Sequence, residues 1–200
     1  MKTLLIVKSS IFGDHGQSAE LASQFVDLWQ QKHSGGRVVS RDLVATPLPH
    51  LDAARFAALG SDPATRTAEQ AAVVAESDVL VAELQAADEI LLAVPMYNFA
   101  VPSQLKAWFD HITRAGVTFK YTAAGAVGLL GDKPVTIIAT RGGFYAGTAA
   151  DSQTPWLQTI LGFVGLTRVN FIYAEGIAIS AEHKARARES ALSGIKALFR

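Results

Sequence analysis

The sequence predicts an α/β fold, a doubly wound sandwich in which a five-stranded parallel sheet of order 2-1-3-4-5 carries helices on both faces. Three observations predict it. Short apolar runs alternate with helical patterns along the whole chain. The central run, residues 90–94, is continuously apolar and stops at Pro95, as a strand buried on both faces does. The most chemically distinctive loops follow the first, third and fourth runs, and ligands bind outside the carboxyl ends of strands in such sheets. Half of the 200 residues are hydrophobic, enough for one sizeable core, so residues 1–200 read as a single domain.

Taken in order, residues 4–7 form the first apolar run, and Ser9, Ser10, Gly13, Asp14, Gly16, Gln17 and Ser18 separate it from a helix expected from Ala19. Leu21, Phe25, Leu28 and Trp29 recur at helical spacing, and Gly35-Gly36 closes the helix. Residues 37–43 read as the second strand. Thr46-Pro47-Leu48-Pro49 excludes a helix, because each proline drives the preceding residue toward extended backbone. A short helix over residues 53–59 follows. A longer one is expected over 64–87, with Asp62 as cap and Pro63 in its first turn, interrupted near Ser77-Asp78. After the central strand, Ser103 is the expected N-cap of a helix with Leu105, Trp108, Phe109 and Ile112 inward, closed by Gly116. Residues 119–122 and 125–131 read as a glycine-rich hairpin. Strand 135–140, helix 155–163, strand 169–174 and helix 181–199 complete the alternation.

Composition excludes several functions. Lys plus Arg and Asp plus Glu both number 18, and no basic run stands out, so nucleic acid and anionic membranes have no electrostatic footprint to meet. Absence of cysteine removes disulfides, thiolate catalysis and Cys-ligated metal. His15, His33, His50, His111 and His183 show no metal-ligand spacing, so no metal is expected. The apolar start is too short for a signal peptide and no stretch reaches membrane-spanning length, which gives a cytoplasmic expectation.

The three loops divide a chemical task. Ser10, Gly16, Gln17 and Ser18 stand at a helix start, whose free N–H groups favour an anion such as phosphate. The loop is neither a Walker A sequence nor the nicotinamide-dinucleotide glycine fingerprint. Pro95, Met96, Tyr97, Asn98 and Phe99 offer flat apolar surface and one amide, with no charge, which suits a neutral ring. Thr140, Arg141, Gly142 and Gly143 allow close backbone approach to a ring edge. Together they match flavin mononucleotide, FMN. No Gly-x-Ser-x-Gly elbow or acidic cluster supports a hydrolase or receiver domain.

With Lys8-Ser9-Ser10, Gln17-Ser18, Arg41-Asp42-Leu43, Pro95-Met96-Tyr97-Asn98-Phe99, Arg114-Ala115-Gly116-Val117-Thr118-Phe119, Tyr121-Thr122, Arg141-Gly142-Gly143, Leu161-Gly162-Phe163 and Ala174-Glu175-Gly176, the chain resembles the FMN-dependent NADH-azoreductase family, flavodoxin-like quinone and azo-compound reductases. The resemblance implies that Ser10 and residues 16–18 hold the phosphate, residues 96–99 line the ring, and residues 140–143 contact its pyrimidine side. Gly16 and Thr140 stand where that family usually has serine. The resemblance also implies a homodimer with active sites at the interface and Tyr121 and Phe163 as pocket walls; Phe144 and Tyr145 are further aromatics without an obvious core assignment. The expected reaction is ping-pong hydride transfer from NADH, with NADPH as an alternative donor, through FMN to quinones and azo compounds. In that reaction the flavin N5 carries the hydride, Asn98 and Gly142 assist, and no side-chain acid or base is required. The rival readings are a flavodoxin-type electron carrier and a flavin-free regulatory module.

Overall fold

The computed structural model describes residues 1–200. Seven strands, β1 (Thr3–Lys8), β2 (Arg37–Asp42), β3 (Glu89–Pro95), β4 (Phe119–Thr122), β5 (Gly125–Gly128), β6 (Val135–Thr140) and β7 (Val169–Ala174), alternate with six helices. The helices are α1 (Gln17–Lys32), α2 (Ala53–Leu59), α3 (Ala68–Ala86), α4 (Ser103–Ile112), α5 (Gln153–Phe163) and α6 (Ala181–Ala197). Five strands form one parallel sheet in the order β2-β1-β3-β6-β7, the expected 2-1-3-4-5 with the β4-β5 hairpin set aside. The hairpin is antiparallel, as its glycines suggest.

Strand periodicity divides the core into two layers. Leu5, Val7, Ile90, Leu92, Val94, Ile137 and Ala139 pack toward α3, α4 and α5, while Leu4, Ile6, Leu91, Ala93 and Ile138 pack toward α1 and α6. β3 is buried on both faces, which explains its unbroken apolar run. Truncating Leu91 or Leu92, both fully buried, to alanine is expected to cost about 2–5 kcal/mol.

Several boundaries differ from expectation, each for a local reason. α1 begins at Gln17 rather than Ala19, after a 3-10 turn over Gly13–His15 that compacts the preceding loop. α3 begins at Ala68, not Ala64: Thr67 and Gln70 form a capping box, whereas the Asp62 carboxylate accepts from the Ala64 N–H at 2.9 Å and closes a separate turn. Helix α3 runs through Ser77-Asp78 without a break, because the buried Ser77 hydroxyl donates to the His111 carbonyl of α4 at 2.6 Å. Pro102, not Ser103, is the N-cap of α4, and that helix ends at Ile112, ahead of Gly116, whose φ of 77° serves the next turn. The final helix stops at Ala197, leaving Phe199 edge-on to Phe25 with ring centroids 4.9 Å apart.

Candidate functional site

The parallel register places the carboxyl ends of β1, β3 and β6 side by side: Lys8 lies opposite Ala93, and Pro95 opposite Thr140. The three distinctive loops therefore emerge at one end of the sheet, at the point where strand order reverses.

The first loop ends at the start of α1. Gly16 is the N-cap and supplies no side chain, so the N–H groups of Gln17, Ser18 and Ala19 have no acceptor in the chain. Ser18 is fully buried and its hydroxyl has no hydrogen-bond partner. A buried hydroxyl without a partner costs free energy unless a ligand satisfies it. A Cβ on Gly16 would stand 2.1 Å from the Ser10 Oγ and 2.6 Å from its Cβ, so the missing side chain at residue 16 makes room for that of Ser10. The Ser10 Oγ accepts from the Phe12 N–H at 3.2 Å and lies 3.5 Å from the Tyr97 hydroxyl.

The second loop is a tight turn. Tyr97 and Ala100 exchange two backbone hydrogen bonds of 3.0 Å, and Asn98 and Phe99 between them take φ of 49° and 65°. Asparagine tolerates this left-handed region; for phenylalanine it costs about 1–2 kcal/mol. Strain of this kind persists where surrounding contacts enforce it. Here the Ser152 hydroxyl donates to the Phe99 carbonyl, and the Phe99 ring meets Tyr145 edge-on at 5.4 Å. Asn98 and Phe99 are exposed, with N–H groups that bond nothing in the chain.

In the third loop the N–H groups of Gly142 and Gly143 are also without internal acceptors. Arg141 differs from the expectation that it faces a ligand. Its side chain is fully buried, bonded to Asp151 at 3.0 and 3.1 Å, Glu175 at 3.2 Å, Thr154 at 2.8 Å and Gln153 at 3.2 Å, and it lies 4.8 Å from the Tyr173 ring centroid. Its backbone N–H and carbonyl are bonded to Ala174 and Ile177. Arg141 thus holds the loop from within. Burial pushes the Asp151 carboxyl up, but hydrogen bonds from Thr154 and Arg141, with the guanidinium charge, outweigh it and hold the carboxyl below its ordinary value. Glu175 Oε1 also accepts from the N–H groups of Tyr145 and Ala146, both at 2.9 Å. Sequence reading passed over Asp151 and Gln153, since a polar residue at a helix start carries no local sign of its long-range partner.

The four expected wall aromatics separate into two groups. Tyr145 reaches Phe99, and Phe144 lies exposed beside His183, ring centroids 6.1 Å apart. Tyr121 and Phe163 instead join Phe119, at 5.4 and 4.5 Å, along a groove shared with Phe56 and Leu59. Phe163 is the last residue of α5, which begins at Gln153 beside the second and third loops, and Tyr121 lies on the β4-β5 hairpin. Their contacts are with this groove, and neither ring is paired with Tyr97, Phe99, Phe144 or Tyr145.

An orphaned buried hydroxyl, free helix N–H groups, a shaped turn and a glycine edge fit a phosphate and a flat ring, the two ends of FMN. Fold and site together define a flavodoxin-like protein. The chain belongs to the Flavodoxin_2 family, described as a flavodoxin-like fold, whose model matches residues 1–199. It is 55% identical over 185 residues, 92% of this chain and 93% of the relative, to a protein of Cellvibrio japonicus named FMN-dependent NADH:quinone oxidoreductase. It is 50% identical to FMN-dependent NADH:quinone oxidoreductase 6 of Burkholderia lata, covering 98% of this chain and 97% of that one. Among solved structures it resembles an azoreductase from Bacillus anthracis, with TM-score 0.89 and 27% identity over 100% of this chain and 99% of that chain. No helix is long and apolar enough to cross a membrane.

Proposed function

We propose that this chain is an FMN-dependent NADH:quinone oxidoreductase that also reduces azo compounds, in keeping with the relatives' names and the azoreductase likeness. The observation that carries the reading is the buried, unpartnered Ser18 hydroxyl beside the free N–H groups that open α1. FMN, when bound, supplies the centre that accepts hydride from NADH and delivers it to the acceptor. The chain's own part is to bind and orient. Ser10, Ser18 and the N–H groups of residues 17–19 hold the phosphate, with Gly16 keeping Ser10 in place. Met96, Tyr97, Asn98 and Phe99 line the ring, Thr140 closes the strand end beneath it, and the N–H groups of Asn98, Gly142 and Gly143 meet the polar ring edges, where reduction places negative charge. Pro95 ends the buried strand and Arg141 anchors the glycine loop.

The second part of the proposal is a homodimer. Tyr121 and Phe56, 75% and 70% exposed, line the groove that holds Phe163 and leave a broad apolar surface open to solvent. A second copy related by a two-fold axis brings such a surface over the partner site and buries it. The test compares NADH oxidation, with a quinone or an azo dye as acceptor, by protein stripped of FMN and by the same protein reloaded with it. Turnover only in the reloaded protein and only with acceptor present is expected; equal NADH oxidation by the stripped and reloaded forms overturns the reading.

A further inference from the structure

Gln153 opens α5 and is 1% exposed, and its side-chain amide is bonded on both sides. Its Oε1 accepts from the Arg141 Nε at 3.2 Å; its Nε2 donates to the carbonyls of Pro95 at 3.1 Å and Ala100 at 3.4 Å. Those carbonyls bracket the turn that holds Asn98 and Phe99, while Arg141 heads the loop that holds Gly142 and Gly143. One amide therefore joins the two ring-facing loops. The adjacent Ser152 hydroxyl grips the Phe99 carbonyl in the middle of the turn.

The two loops carry separate sets of unbonded N–H groups: Asn98 and Phe99 on one, Gly142 and Gly143 on the other. The first set sits on left-handed backbone, which relaxes when its restraints are released. Donors aimed at a site of developing charge are effective in proportion to how firmly they are held there.

We propose that Gln153 and Ser152 are positioning residues that set the reduction potential of the bound flavin by fixing the spacing between these two sets of N–H donors. The assignment rests on the FMN reading above. Both act through backbone atoms of the ring loops. Reduced flavin carries more negative charge than oxidised flavin, so donors held in place favour the reduced form and raise the potential. Releasing them lowers it.

The test compares FMN-loaded wild type with Gln153→Leu, which keeps side-chain bulk but removes the amide, and with Ser152→Ala, a change at an exposed position that leaves the core intact. Midpoint potential, visible flavin spectrum and melting temperature are measured for each. In Gln153→Leu a fall of about 30 mV or more is expected, the equivalent of a tenfold change in relative affinity for reduced and oxidised flavin, with a displaced visible band. A smaller fall of the same sign is expected in Ser152→Ala, which decides the matter if Gln153→Leu does not fold. Lower melting temperature with wild-type potential and spectrum is the signature of packing alone and overturns the assignment. Wild-type protein that takes up no FMN overturns instead the function proposed above.

Discussion

The hydroxyl of Tyr97 stands 3.5 Å from the hydroxyl of Ser10 and accepts a hydrogen bond from the Ile11 N–H at 3.3 Å, tying the loop after β3 to the loop after β1. In the proposed site one phenol thus couples the loop assigned to the phosphate with the loop assigned to the ring. Tyr97→Phe removes that link and leaves the Ile11 N–H unbonded. A net hydrogen bond is worth about 1 kcal/mol, so FMN affinity should fall roughly fivefold, read by fluorescence titration of FMN-free protein. Unchanged affinity separates the two ends and contradicts the coupling.

Ser18→Ala should act in opposite directions with and without FMN. Because the buried hydroxyl has no partner in the chain, its removal should leave the FMN-free protein as stable or more stable, by up to about 1 kcal/mol. With FMN present, the lost phosphate contact should lower affinity about five- to tenfold. Parallel melting curves with and without FMN check both signs; destabilisation of the FMN-free form contradicts the assignment.

Phe99→Gly exchanges strain for a lost contact. Glycine relieves the cost of φ at 65°, while the edge-on pair with Tyr145, worth about 0.5–1.5 kcal/mol, disappears. Stability should stay within about 1 kcal/mol of wild type as quinone reduction slows. A loss of several kcal/mol in thermal unfolding would mean that Phe99 serves the core.

Acid should loosen the glycine loop before the rest of the sheet. A carboxylate whose pKa is lowered on folding contributes stability that is complete above its unfolded value of about 3.9 and is lost as pH falls through the folded value. Asp151 is such a group, and it clamps Arg141 behind Gly142. FMN fluorescence should therefore report release below about pH 4, ahead of global unfolding, and Asp151→Asn, which removes the titrating carboxylate, should weaken FMN retention at neutral pH and flatten that pH dependence. Lys8, lowered by burial but raised further by Asp14 and Asp42, has the opposite sign. Its contribution is complete below its ordinary value of 10.5 and is lost as pH rises through the raised one.

The sheet was legible because its strands are apolar runs with sharp ends: residues 135–140 and 169–174 match β6 and β7, and the alternation fixed strand order. Loop chemistry was legible where the residue type itself is the signal, as in the uncharged run from Pro95 to Phe99. What the sequence hid is long-range. Arg141 beside two glycines reads as a ligand contact until Asp151, from the next loop segment, and Glu175, from beyond β7, are seen to enclose it. Gln153 has no local mark of its bond to Pro95, 58 residues earlier. Aromatic type alone does not separate Tyr121 and Phe163 from Phe144 and Tyr145; only the fold shows that the first two pack with Phe119 in a groove of their own.

In the proposed reaction one site takes hydride from NADH and gives it to a second molecule. The most direct test is an anaerobic sequence of two half-reactions on FMN-loaded protein, followed in the visible flavin band. NADH alone should bleach the band within the turnover time, and a quinone added after NADH is exhausted should restore it mole for mole. A band that NADH leaves unchanged, in protein that retains FMN, contradicts the account and identifies an electron carrier fed by some other donor.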